Sequence, residues 1–224
     1  MKYGSKPKDL GVMKIECNEM LFYQYLPIKL IGQTEPIVEE RLKCFEPLIG
    51  ACCCDFVADY GLSRHMDSYV YLTVKRLYQG KGYSFNRKGY HSDGFLTDDI
   101  NYLWSNSLPT VFNFGKFDLP MDDITSMTEM ERQAKKENEF TYPQGSLLRL
   151  DQFVIHKVSD EEIEGMRTFA KVSFSKDRYD LKGNAKNHLL DYDWEMRERL
   201  NKRNIPQQIA PNVRVKEKTQ NNIW

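Results

Sequence analysis

Apolar and polar residues alternate most regularly in DSYVYLTVKRLYQG (67–80). Tyr69, Tyr71, Thr73 and Lys75 fall on one side and Val70, Leu72, Val74 and Arg76 on the other. A two-residue period predicts a strand. The period changes in EPIVEERLKCFEPLIGACCCDFVADYG (35–61), where Ile37, Val38, Leu42, Phe45, Leu48 and Ile49 recur at three- and four-residue steps. That spacing predicts a helix, which Pro47 kinks or splits. A β-leaning patch at Met20–Leu26 predicts strand and loop within 13–32, and residues 1–12 read as an arm. LPTVFNFGKF (108–117) is a short β-rich run. The polar stretch 121–140 leans to helix, and residues 118–140 read as an inserted surface helix or lid. A turn and strand follow over 141–160, then another strand over 166–179. NAKNHLLDYDWEMRERLNKRN, after Gly183, predicts a C-terminal helix ahead of a Pro/Asn/Lys-rich end. No internal repeat interrupts this order.

The expectation is one domain, mainly β with flanking helices: a helical N-terminal support (13–66), a β core (67–179), and a C-terminal helix and tail (180–224). An antiparallel sandwich or jelly roll satisfies that order. Composition agrees: 224 residues, 41% hydrophobic, 12% aromatic and 29% charged describe a globular chain. Formal net charge is zero, so no global field favours nucleic acid or a membrane surface. Seven Lys/Arg against three Glu over 195–218 keep a nucleic-acid partner open without favouring it. The N-terminus has no apolar run after its lysines, and no stretch approaches ~18 consecutive apolar residues. The expectation is a cytoplasmic protein with no membrane partner. Of the five cysteines, Cys52, Cys53 and Cys54 are adjacent. Without a second cluster they read as small apolar residues of a buried helix, not as a metal site or disulfide framework.

The candidate chemistry lies in GYHSDGFLTDDINYLW (89–104). His91 and Asp93, two residues apart, share a face of an extended segment. His156, closing SLLRLDQFVIH, can add a third ligand from a neighbouring strand. Two histidines and one carboxylate on one face leave coordination positions open, the arrangement of non-haem Fe(II) oxygenases. Arg167 follows His156 by eleven residues, across a turn that reads as a hairpin, and can grip a carboxylate bidentately.

In this ordered set, His91-Ser92-Asp93, then His156, then Arg167, the chain resembles the Fe(II)/2-oxoglutarate-dependent dioxygenases, in particular their phytanoyl-hydroxylase-like members. NRKGYHSDGF and LLRLDQFVIHKVSD…MRTFAKVSFS carry the likeness, over roughly residues 68–179. The resemblance implies a double-stranded β-helix, a cupin-like jelly roll. It implies Fe(II) held by His91, Asp93 and His156, and 2-oxoglutarate as co-substrate with its distal carboxylate on Arg167. O2 would be the oxidant, succinate and CO2 the by-products, and hydroxylation of a C–H bond the usual outcome.

Each residue also has a plainer reading. His91 and Asp93-Gly94 fit a turn, His156 a half-exposed strand end, and Arg167 a surface position opposite Glu161 or Glu162. His65-Met66-Asp67 is a rival His-x-Asp, disfavoured because it precedes the strand. Gln152 shares the face of His156 by alternation and is a candidate for cofactor binding, whereas Arg149 points away. Asp98 and Asp99 fit either an outer-shell or substrate role or a turn, and Asn101, Tyr102 and Trp104 are candidates for lining the pocket. Tyr69, Tyr71 and Tyr83 either line it or fill the core. The expected substrate is a small molecule: a metabolite, an amino acid or a nucleotide. A catalytically inactive barrel that binds a ligand or partner, and a Zn-dependent hydrolase on the same triad, are the alternatives. Oligomeric state is not legible.

Overall fold

A computed structural model describes residues 3–80, 89–161 and 164–199. Tyr83 and most of the basic C-terminal stretch lie outside the described residues. Among these residues nine strands, β1 (Lys8–Val12), β2 (Leu21–Lys29), β3 (Tyr69–Gln79), β4 (Ile100–Ser105), β5 (Val111–Asn113), β6 (Glu139–Phe140), β7 (Ser146–Leu150), β8 (His156–Lys157) and β9 (Gly165–Ser175), accompany two helices, α1 (Glu46–Met66) and α2 (Asp123–Gln133). Six strands form a main sheet in the order β1-β7-β4-β9-β3-β2, and β6-β5-β8 form a small one. Every pairing within the sheets is antiparallel.

The strand period decides what each face of the main sheet meets. Val70, Leu72 and Val74 of β3, Ile100, Tyr102 and Trp104 of β4, and Ala170, Val172 and Phe174 of β9 share the outer face. They pack with Leu48, Ile49, Cys52 and Phe56 of α1 as the principal core, and Phe56 stacks on Phe174 at 4.1 Å between ring centroids. The inner face carries Thr73 and Lys75 of β3, Asn101 and Leu103 of β4, and Arg167, Phe169, Lys171 and Ser173 of β9. Leu103 and Phe169 meet Phe112 of β5 in a smaller apolar cluster. The small sheet therefore faces the inner side of the main one.

Helix α1 starts later and ends later than its periodicity predicts. A 3-10 turn (Glu40–Phe45) precedes it. Pro47 falls in its first turn, where the missing N–H breaks no helical bond. A kink at Gly61 (φ 85°) lets it run on to Met66. The cysteines grade across its surface: Cys52 buried, Cys53 half-buried, Cys54 exposed, all free. Burial pushes the Cys53 thiol up to about 12, out of reach of thiolate chemistry at neutral pH.

One polar knot ties α1 to the sheet. Asp55 accepts from Lys8 of β1 (2.6 Å), Tyr102 of β4 (2.9 Å) and Arg149 of β7 (2.8 Å). Burial raises the Asp55 carboxyl, but these partners outweigh it and hold the group below its ordinary value. A depressed carboxyl stabilises the fold fully above its unfolded value of about 4 and loses that contribution as pH falls through the native value. Asp55→Ala leaves the half-buried Arg149 with only Asp59 as an acidic partner and is expected to cost about 2–3 kcal/mol. Urea unfolding at pH 7 should show this cost, and the gap from wild type should shrink at pH 3.

Four elements differ from the sequence reading. Residues 8–12 are no arm, because β1 pairs with β7. The run 146–156 is not one strand: it turns after Leu150, where Asp151 accepts from Phe153 N (2.9 Å), and resumes as β8 in the other sheet. β8 and β9 belong to different sheets and therefore form no hairpin. Residues 183–199 contain no helix. Instead Asn187 donates to the carbonyls of Pro27 (3.0 Å) and Ile37 (2.9 Å), an irregular strap that replaces helical bonds with tertiary ones. Among the described residues no helix is long and apolar enough to cross a membrane.

Candidate metal centre

His91 and His156 meet through their backbones. Each N–H donates to the other's carbonyl at 2.9 Å, an isolated antiparallel bridge that continues the small sheet. Alternation then sends their neighbours the opposite way. Tyr90 and Ile155 bury themselves with Tyr3, Phe95, Phe117 and Met130 of α2. Helix α2 is thus anchored beneath the site, with Asp122 as its N-cap (2.7 Å to Thr125 N) and Glu131 accepting from Tyr90 N (3.0 Å).

After His91 the chain does not continue as a strand. Ser92 Oγ donates to the Gln152 carbonyl, and residues 93–96 form a turn through Gly94 at φ 71°. Thr97 closes it, donating from both N and Oγ1 to Gly94 O at 2.9 Å. Asp93 is therefore aimed by a turn and not by strand alternation. A Cβ on Gly94 would lie 2.8 Å from Thr97 Oγ1 and 3.0 Å from Asp99 Cβ, on top of the positive φ. Gly94→Ala is expected to cost about 1–2 kcal/mol and to weaken Co(II) binding. A Co(II) titration with wild-type affinity would show that the turn does not aim Asp93.

The three side chains converge. One ligand atom from each of His91, Asp93 and His156 lies within 4.8 Å of the others. His91 Nδ1 faces Gly89 O at 3.1 Å and His156 Nδ1 faces Val154 O at 3.3 Å. Backbone carbonyls thereby select the Nδ1–H tautomer and turn each Nε2 toward the shared point, the orienting device found behind metal-ligating imidazoles. His156 Nε2 stands 3.8 Å from Asp93 Oδ2. Two imidazole nitrogens and one carboxylate oxygen, so oriented, fit a borderline divalent cation.

Lys171 of β9 completes the near surroundings, with Nζ 3.2 Å from Asp93 Oδ2. Burial would raise the Asp93 carboxyl, but Lys171, then His156 and His91, hold it far below the usual range. Burial would lower the Lys171 ammonium, and Asp93 more than restores it. Arg167 lies on the same face of β9 and is buried. Its Nε and one terminal nitrogen donate to the carbonyls of Ser107 (3.1 Å) and Leu108 (3.2 Å). No acidic side chain pairs with it among the described residues, and desolvation lowers it to about 10. Lys75, opposite Phe169, stands between Arg167 and Lys171. Burial, then the charges of Lys171 and Arg167, lower it.

The remaining candidates separate. Asn101 is on the inner face and accepts from Ser173 Oγ (2.6 Å). Asp99 is buried and accepts from Tyr179 OH (2.7 Å). Asp98 is at the surface, paired with Lys176 (2.9 Å). Gln152 braces the Asp93 turn, its Oε1 accepting from Leu96 N (3.1 Å); the break after Leu150 removes the alternation that linked it to His156. Tyr102 and Trp104 lie on the outer face of β4, bonded to Asp55 and to Met13 O (3.0 Å), and do not line the site. The rival His65 is buried against Phe56 and Phe174, also beyond the outer face. Lys171 and Tyr25 join the site without being among the residues that the sequence singles out. A lysine inside the apolar run FAKVSF, four residues from Arg167 and so on its face, was the available signal. Tyr25, whose hydroxyl lies 3.5 Å from Lys171 Nζ, carries a φ of 49° that no residue pattern announces.

No protein-family model matches the chain, and no curated protein matches it. Among solved structures it is similar to the non-heme alpha ketoglutarate dependent epimerase SnoN from nogalamycin biosynthesis. The identity is 13%, over 63% of this chain and 69% of that one, with a TM-score of 0.32. At that distance the likeness assigns neither fold nor activity to this chain.

Proposed function

We propose that the protein is a non-haem Fe(II) oxygenase that uses 2-oxoglutarate. The observation that carries this reading is the convergence of His91, Asp93 and His156 with a buried arginine, Arg167, on the same inner face that has no acidic partner among the described residues. On this reading the two facing sheets are the halves of a double-stranded β-helix, and the triad lies between them. His91, Asp93 and His156 would hold the metal. Fe(II) bound there would supply oxidative decarboxylation of 2-oxoglutarate by O2 to succinate and CO2, coupled to hydroxylation of a C–H bond.

The chain's own residues do the positioning. The carbonyls of Gly89 and Val154 keep the Nδ1 protons on the two imidazoles. Those of Ser107 and Leu108 fix the plane of Arg167, whose further N–H donors remain for the distal carboxylate of the co-substrate. Phe112, Phe169 and Leu103 pack as an apolar cluster, with the Phe112 ring 6.0 Å from that of His156, and apolar surroundings strengthen such contacts. The substrate is a small metabolite, amino acid or nucleotide. Purified protein with Fe(II), ascorbate and 2-oxoglutarate should release succinate, faster with the right substrate, and His91→Ala should abolish the release. Zn(II)-dependent hydrolysis without 2-oxoglutarate consumption would replace this reading with a hydrolase.

A further inference from the structure

Asp93 Oδ2 is addressed from two sides. It lies 3.8 Å from His156 Nε2, on the side where a cation would be shared, and 3.2 Å from the Lys171 ammonium. Lys171 is buried and has little else to turn to: the Tyr25 hydroxyl at 3.5 Å and the Tyr25 ring at 5.0 Å. Lys75 on the same face adds positive charge beside Lys171. A divalent cation bound by the triad would therefore share its single carboxylate with an ammonium a few ångströms away. At ~5 Å and an effective dielectric of ~20, the bare repulsion between a dication and an ammonium opposes binding by a factor on the order of 10^5, and screening at a partly solvated site leaves only part of that.

We propose that Lys171 sets the metal affinity of this centre: its ammonium competes with the cation for Asp93 and holds the affinity below what two histidines and an aspartate alone would give. Lys171 is a positioning residue in this role and not a ligand. The inference rests on the metal reading of the triad.

Co(II) titration of the full chain, followed by visible absorption and calorimetry, tests it. Lys171→Met keeps the side chain as far as Cε and removes the charge, and it should bind Co(II) at least about tenfold more tightly than wild type. Lys171→Arg keeps the charge and should stay within about threefold. Structural damage weakens binding, so tightening is a result that a merely architectural lysine would not produce. Equal or weaker binding by a folded Lys171→Met would overturn the proposal and make the lysine a brace for the carboxylate. Should the methionine variant not fold, Lys171→Gln, which retains a hydrogen bond to Asp93, decides by the same criterion. Wild-type binding without tightening removes only the role of Lys171. Failure of wild type and all variants to bind Co(II), Mn(II) or Fe(II) removes the metal reading and this inference together.

Discussion

Asp93→Ala should lose two properties at once. Co(II) affinity should fall at least 100-fold, because outer partners of a metal site are already worth about 10–100-fold and the role proposed for Asp93 is that of a ligand. Stability without metal should also fall, by about 3 kcal/mol, because the change strands the Lys171 ammonium, whose side chain is 10% exposed, without its carboxylate. The double variant Asp93→Ala/Lys171→Met should recover most of the stability and none of the metal binding. Urea unfolding of the four proteins gives the coupling directly. A double variant as unstable as Asp93→Ala would mean that the loss comes from the turn at Gly94 and not from the ion pair.

Arg167→Met should separate function from stability. Removing a desolvated cation that has no acidic partner among the described residues is favourable, while orphaning the carbonyls of Ser107 and Leu108 costs about 1–3 kcal/mol each at most. These opposing effects should leave the unfolding midpoint nearly unchanged. The KM for 2-oxoglutarate should rise about 10–100-fold, the worth of a charge-assisted hydrogen-bonded pair. Co(II) affinity should not move, since Arg167 sits about 13 Å along the strand from Lys171. A loss of metal binding in this variant would place Arg167 in a structural role. An unchanged KM would release it from the co-substrate.

The main strands were legible wherever one face is buried against α1. β3 and β9 read directly from alternation because apolar Val70, Leu72 and Val74 meet apolar Ala170, Val172 and Phe174 on one side. His91, Asp93 and His156 stood out in the sequence only as an ordered set with Arg167, since His-x-Asp alone recurs at His65-Met66-Asp67. How they converge was not legible. The backbone bridge between His91 and His156 links residues 65 positions apart, and the turn that aims Asp93 depends on contacts from Gln152. Tyr102 and Trp104 misled because polar tips on aromatic rings suit a pocket as well as an outer face. The helix predicted after Gly183 failed because propensity is a weak guide when side chains such as Asn187 find tertiary backbone partners.

The place of β9 in the main sheet has a consequence for how the chain acquires this site. β9 lies between β4 and β3, and no direct pairing joins those two strands, although both precede it by many residues. A nascent chain that has emerged only through β8 already carries both histidines, yet β3 and β4 each keep an unsatisfied inner edge. Such edges invite association with other chains, and closing them requires long-range pairing, which is slow. Arg167 and Lys171 arrive on that same last strand. The step that seals the sheet is thus also the step that delivers the site's buried cations, so Asp93 meets its counter-charge only when synthesis of the core is nearly complete.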